Sequence, residues 1–443
     1  MGPKPDPFSG DQTLPTRASV VVIGGGIIGT STALELAERG VDVVLCEKGI
    51  IAGEQSSRNW GWVRQMGRDP REIPLIQESM RAWRGMNERI GAEAGYRECG
   101  ILYLCESDAD MAAREQWLDE HARPHQLASR MIAAERTAEL APGSTIKWKG
   151  ALYTENDGRA EPQKAAPAIA EAARRHGAKI FTNCAVRGIE KQAGRISGVV
   201  TEKGRIDCDA VVVAGGAWSR RFCTNAEVEL QALNVTSSCL RTEPLETDLE
   251  ASAAGNGFAY RKRLDGGYTV AHGGLSVADI VPDSFRLFFP FIPNLKAEWP
   301  HLKLRLGKRF IEEATMARRW ALDSVSPFEQ VRVLDPEPVS SIIEHSIRNL
   351  KKAYPAFEKM KVAQTWAGCI DVTPDAVPVI SEVEAIPGFF ISSGFSGHGF
   401  GIGPGAGKLT ADLVTGAPPC VDPAPFRHSR MTDGSKASMM AEV

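Results

Sequence analysis

Three glycines in GxGxxG spacing, Gly24, Gly26 and Gly29, are followed by an acid, Glu47, at the end of the next apolar run. Each glycine has a separate physical task. Gly24 permits a tight turn, Gly26 lets a pyrophosphate approach the backbone, and Gly29 lets helix and strand pack closely. Gly26, Ile27 and Ile28 open a helix, whose unpaired N–H groups and dipole attract an anion. Glu47 stands where a carboxylate accepts hydrogen bonds from ribose hydroxyls. Two other stretches concentrate polar chemistry among small and aromatic residues: Ser56-Ser57-Arg58-Asn59-Trp60-Gly61-Trp62-Val63-Arg64 and Gly394-Phe395-Ser396-Gly397-His398-Gly399-Phe400.

The elements that position these groups surround them. Val20–Ile23 reads as a buried strand. Ala33, Leu34, Leu36 and Ala37 mark the apolar face of a helix stopped by Gly40, and Val41–Cys46 is a second strand. Strand, glycines, helix, strand and acid in register imply a bound dinucleotide. With 443 residues the chain is long enough for two cores. A net charge of −3 gives no pull toward nucleic acid. Nine cysteines without CxxC pairs favour reduced thiols in a cytoplasmic protein over a disulfide framework or a zinc site, so no metal is expected. Residues 1–17 read as a flexible arm, and no apolar run is long enough to span a membrane.

Further along, helical patterns cover 71–90, 108–121, 133–140 and 163–176. Strands are expected at 100–104, 179–186, 195–202, 205–206, 209–214, 267–272 and 388–393, and a closing helix over 405–415. A dinucleotide unit, an excursion, a return to parallel strands, a second excursion and a glycine-rich final return describe a discontinuous cofactor domain, with both excursions building one substrate domain over it. Gly405-Ala406-Gly407-Lys408-Leu409 has a P-loop flavour, but Leu409 replaces the metal-binding hydroxyl.

The chain resembles the FAD-dependent amino-acid and amine oxidoreductases that include D-amino-acid oxidase, glycine oxidase, sarcosine oxidase and bacterial amino-acid dehydrogenases. The likeness rests on the opening fingerprint through Glu47-Lys48, Asp157-Gly158 with Glu161-Pro162, Asp209–Trp218, Trp366-Ala367-Gly368 with Thr373-Pro374-Asp375, and Gly394–Gly401. It implies an α/β and α+β fold: a Rossmann-like FAD-binding domain over 18–98, 149–222 and 352–418, and a substrate-binding domain on a mainly antiparallel sheet over 99–148 and 223–351. A flexible tail takes 419–443. It implies FAD contacts from Gly24, Gly26, Ile27, Ile28, Gly29, Glu47 and Lys48. Ser56, Ser57, Arg58, Asn59 and Gly61 then follow the pyrophosphate and flavin. Val186, Ala214, Gly215 and Trp218 close over the adenosine half, and Gly368, Gly394, Gly397, His398, Gly399 and Phe400 lie by the flavin. The reaction implied is oxidation of a C–N bond in a small amino-acid or amine substrate. Hydride passes to the flavin, giving an imine that hydrolyses to a keto acid, with oxygen or a quinone as final acceptor. The alternative is a flavin subunit of a hetero-oligomeric amine or opine dehydrogenase, or a non-catalytic flavoprotein.

The sequence departs from that pattern at the substrate. Many relatives carry an arginine two residues after the glycine of Trp-Ala-Gly, where Ile370 stands here. The resemblance makes Arg64 the candidate carboxylate clamp, since it lies in the loop from which sarcosine oxidase presents a carboxylate-binding arginine and arginine suits bidentate recognition; a surface or flavin-contact role is the alternative. Asp371 is a candidate for a substrate cation, with a turn role as its alternative. Tyr260 and Arg261 fall where relatives line the pocket, with a plain strand-edge role as the alternative, and His398 is either a backbone contact or a proton acceptor. Sarcosine oxidase attaches its flavin through a cysteine five residues before the matching threonine; Gly368 holds that position here and Cys369 is one residue off, so the resemblance implies non-covalent FAD. Phe285–Pro293, followed by Lys296, Lys303, Arg305, Lys308 and Arg309, reads as a lid, core or oligomer contact. Peripheral contact with the inner membrane is the alternative.

Overall fold

The computed structural model describes residues 2–435 and 437–439. Its first layer is a six-stranded sheet in the order Val379–Glu382, Phe389–Ser393, Ala210–Val213, Val20–Ile23, Val43–Cys46, Lys179–Phe181. All pairs are parallel except the first. The strands are apolar on both faces because both are covered. Val20, Val22, Val43, Leu45 and Val212 face one core with the helices Ile27–Glu38, Pro162–Arg175 and Gly399–Thr415. Val21, Val44, Val211 and Val213 face a second core shared with Val199 and Ile206 of a three-stranded antiparallel sheet.

The second layer is a ten-stranded sheet, antiparallel except for two pairs. The division expected from sequence changes here. Gly150–Thr154 pairs with Ile101–Cys105, and Val362–Val372 pairs with Leu233–Thr242, so both strands belong to this sheet rather than to the dinucleotide-binding layer. Sequence texture at 149 and 352 marked where the chain turns back, one strand too early in each case. The ends also pack. Asp6 N–H donates to Gln163 O at 2.8 Å and Asp11 N–H to Ile180 O at 2.7 Å. In the expected tail, Phe426 is buried and Arg430 pairs with Asp375 at 3.0 Å. Polar spacing suggested flexible ends because these contacts are mostly to backbone atoms, which leave little mark on composition.

The closing helix begins at Gly399, earlier than expected. Its glycines are packing positions. A Cβ at Gly403 would meet Ile27 Cγ1 at 2.8 Å, and one at Gly407 would meet Ser31 Cβ at 2.6 Å. On the neighbouring face, a Cβ at Gly405 would meet Leu75 O at 2.7 Å. Two glycine rows therefore let this helix lie against Ile27–Glu38 and Ile73–Arg84 at once. The P-loop flavour of 405–409 is the trace of this packing.

Candidate active site

One cavity of about 1530 Å³ runs from the opening glycines to the large sheet and the loops around residues 272–304. Gly24, Gly26, Ile27 and Ile28 line it, at the end of Val20–Ile23 where the helix dipole is positive. Gly29 does not line it; a Cβ there would collide with Gly24 O, so its task is the close helix–strand contact. Glu47 also lines the cavity. Its two carboxylate oxygens accept the Gly25 and Gly49 N–H groups, each at 2.7 Å. Burial pushes its pKa up against the opposing effect of Lys48 and these amides.

The Gln55–Arg58 helical turn and its exit form the next wall. Ser56 Oγ accepts the Ile27 N–H at 2.8 Å, tying this turn to the opening helix. Asn59 Oδ1 accepts the Gly61 N–H at 2.8 Å. Gly61 takes φ +83°, and a Cβ there would stand 2.5 Å from Ala160 O. Arg58 donates to Asp335 Oδ1 at 2.7 Å and Ala367 O at 3.0 Å, and its buried Nε has no hydrogen-bond partner. Val186, Ala214, Gly215, Trp218, Gly368, Gly397, His398, Gly399 and Phe400 join the same cavity.

Several expected residues are placed differently. Ser57 is fully buried, donates to Glu54 O at 3.2 Å and is absent from the cavity wall. Lys48 reaches the cavity, but its ammonium donates to Glu54 at 2.6 Å, Val331 O at 2.8 Å and Arg332 O at 3.0 Å, which uses all three donors. Gly394 lies below the wall at φ +78°, donating its N–H to Asp371 Oδ2 at 2.6 Å. Asp371 is buried, and both its oxygens are taken. Gln55 donates at 2.7 Å to one, Ser393 and Gly394 to the other, so it fixes the glycine-rich loop rather than a substrate cation. Burial raises its pKa against those three donors. Tyr260 is not in the cavity; it is buried among Phe258, Tyr268, Tyr354 and Phe357. Its strand carries alternate side chains to opposite faces, and no local pattern marks which face meets the cavity.

Arg64 does line the cavity. It donates to Met66 O and its guanidinium carbon lies 5.6 Å from the Tyr103 ring centre. Arg68, which the sequence reading passed over, is the more telling group. It is 3% exposed, lines the cavity and keeps Nη1 without a hydrogen-bond partner. Burial, then repulsion from Arg64, brings its pKa down to about 10. Asp157, the acid of the Asp157-Gly158 turn, shapes this loop by accepting the Gln65 and Met66 N–H groups at 2.9 and 3.2 Å. Burial raises its pKa to about 7 despite these amides and the two arginines. The signal available was the run of arginines at 64 and 68 on one loop leaving the dinucleotide unit.

The sequence model of the family described as FAD dependent oxidoreductase matches residues 19–413, and the chain belongs to that family. Among solved structures it is similar to the L-amino acid deaminase of Proteus myxofaciens, solved in complex with anthranilate: 36% identity, 97% of each chain covered, TM-score 0.94. Among curated proteins it is 25% identical to the mouse mitochondrial pyruvate dehydrogenase phosphatase regulatory subunit, over 91% of this chain and 42% of that protein. It is 24% identical to 4-methylaminobutanoate oxidase (formaldehyde-forming) of Paenarthrobacter nicotinovorans, over 92% of this chain and 45% of that protein. The chain thus spans less than half the length of these two curated relatives. The fold is an FAD-binding fold, and the glycine cradle, the ribose-side acid and the glycine-rich final turn on one cavity fit that cofactor.

Proposed function

We propose that the chain binds FAD without a covalent link and oxidises the C–N bond of a free amino acid, giving an imine that water hydrolyses to a keto acid and an amine. One observation carries this reading: a buried guanidinium with an unpartnered nitrogen, Arg68, lines the same cavity as the phosphate-binding glycines. A buried guanidinium nitrogen without a hydrogen-bond partner is costly, and a substrate carboxylate supplies that partner. The Proteus relative is an L-amino acid deaminase, which supports an amino-acid substrate here. FAD, when bound, supplies the hydride-accepting ring. Non-covalent attachment is supported by Gly368 at the attachment position and by burial, which raises the Cys369 thiol to about 12 and leaves it little thiolate.

The test is anaerobic titration of the purified protein against D- and L-amino acids, N-methyl and cyclic imino acids, and opines. Flavin bleaching near ~450 nm reports reduction. Bleaching by α-amino acids and not by the matching decarboxylated amines is the expected result. A yellow protein that nothing bleaches would instead favour a flavin subunit or non-catalytic flavoprotein. Readmitting air separates oxygen from other acceptors. Glu47→Ala is expected to weaken FAD retention on gel filtration without altering substrate choice; altered choice at full flavin content would remove Glu47 from the cofactor side.

A second reading concerns the acceptor. Phe285, Phe289, Leu306 and Ile311 are 67%, 79%, 71% and 65% exposed, and Lys296 and Lys303 in the same stretch of chain are exposed as well. No helix among the described residues is long and apolar enough to cross a membrane. This exposed apolar and basic surface favours peripheral docking on an anionic bilayer and electron transfer to a quinone. Flotation with vesicles containing phosphatidylglycerol is expected for the wild type and lost in Phe285→Ser/Phe289→Ser. Equal flotation of both would discard this surface.

A further inference from the structure

A titratable pair of which His398 lines the cavity and Glu72 stands behind it belongs to neither the glycine cradle nor the arginines. His398 immediately precedes the closing helix, and its backbone N–H donates to Phe395 O at 2.7 Å. Its ring meets Glu72, with Nδ1 3.0 Å from Oε2. Glu72 sits at the start of the Ile73–Arg84 helix and is fully buried, and its Oε1 has no hydrogen-bond partner.

With Glu72 as the acceptor, the pair selects one tautomer. An ionised carboxylate only accepts, so Nδ1 carries the hydrogen, and a neutral imidazole then has a bare lone pair on Nε2. The His398 side chain is 21% exposed while that of Glu72 has no exposure, and His398 lines the cavity. Glu72 engages Nδ1, which leaves Nε2 as the ring nitrogen open to a substrate. The charged groups around the ring are Glu72 from its helix and Arg64 and Arg68 from their loop. Burial and Arg68 hold the ring below its ordinary pKa against the opposing effect of Glu72. The arginines suited to a carboxylate thus stand beside a ring suited to a proton, as an α-amino acid with adjacent carboxylate and ammonium requires.

We propose that His398 Nε2 accepts the proton of the substrate ammonium, with Glu72 as the positioning residue that fixes the imidazole tautomer. This rests on the amino-acid reading above. In the step, one N–H bond of the ammonium breaks, its electron pair stays on the amine nitrogen, and a new N–H bond forms on Nε2. Charge is conserved and no electrons are exchanged. The freed lone pair is what expels hydride from the adjacent carbon, and the imidazolium then releases its proton to water.

Two measurements on the FAD-loaded protein decide it. In ¹⁵N-histidine NMR, with His398→Gln assigning the signal, the wild type is expected to show a protonated Nδ1 and a bare Nε2 at pH 8. Glu72→Gln is expected to lose that preference. The reverse tautomer in the wild type overturns the proposal. In anaerobic stopped-flow reduction, His398→Gln is expected to slow flavin bleaching about 10²- to 10⁴-fold at pH 7. That loss should shrink toward high pH, where solution supplies the free amine. Glu72→Gln should shift the acid limb of the profile, and Glu72→Asp should restore part of it. Unchanged pH profiles in both variants, at normal flavin content and circular dichroism, overturn the proposal. If no amine bleaches the wild type, the amino-acid reading falls by itself, while the NMR still reports on the Glu72–His398 pair.

Discussion

Arg68→Ala is expected to raise KM for a carboxylate-bearing substrate by about 30- to 5000-fold, equivalent to ~2–5 kcal/mol. The size follows from burial. Arg68 Nε donates to Arg64 O at 3.2 Å, which orients the guanidinium, while Nη1 has no partner. A carboxylate reaching Nη1 would form a charge-assisted hydrogen bond away from bulk water, where such bonds are strongest. Arg64→Ala is expected to do less, because Arg64 already donates to Met66 O and rests on the Tyr103 ring. Steady-state kinetics checks both, with flavin content as control. A decarboxylated analogue should lose the difference between wild type and Arg68→Ala. An unchanged KM with full flavin would move carboxylate recognition to another group.

The contrast between Arg64 and Arg68 shows where sequence reading stops. The dinucleotide unit was legible because its constraints are local: Gly24, Gly26 and Gly29 act within one turn, and Glu47 closes the very next strand. The layers were legible for the same reason, since Val20–Ile23 and Ala210–Val213 are apolar at every position and so must be covered on both faces. The substrate side depends on contacts between distant segments. Asp371 meets Gln55, 316 residues away in sequence, and Tyr260 faces an aromatic core because it is registered with Val270 and Ala253. Neither fact has a local signature. His398 was visible as a residue flanked by glycines, but its partner Glu72 lies on a different helix and looks in sequence like an ordinary helix-starting acid.

Glu161→Ala is expected to destabilise the protein by about 3–5 kcal/mol. Glu161 closes the turn that begins at Asp157 and precedes Pro162, the first residue of the Pro162–Arg175 helix. Its carboxylate holds the Arg261 guanidinium at two points, 2.9 and 3.2 Å, and also accepts the Leu264 N–H at 2.9 Å. Arg261, 1% exposed, stands on Phe258–Lys262 in the large sheet and donates to Trp60 O. This pair therefore joins the helix of one layer to a strand of the other, directly behind Gly61. Alanine at 161 would leave a fully buried guanidinium without its counter-charge, and that desolvation cannot be recovered by rearranging one loop. Glu161→Leu with Arg261→Met removes both charges and is expected to cost much less than the single change. The pair also sets an acid limit. Burial tends to raise the Glu161 pKa, but the Arg261 charge and hydrogen bonds outweigh it and leave a net depression. A depressed carboxylate contributes stability above its unfolded pKa of about 4.3 and loses it as pH falls through the folded value. Urea unfolding midpoints below pH ~4 should therefore fall in the wild type and change little with pH in the double variant, apart from the losses common to both. A single variant as stable as the double one would mean that Arg261 finds another anion, and the clamp between layers would have to be sought elsewhere.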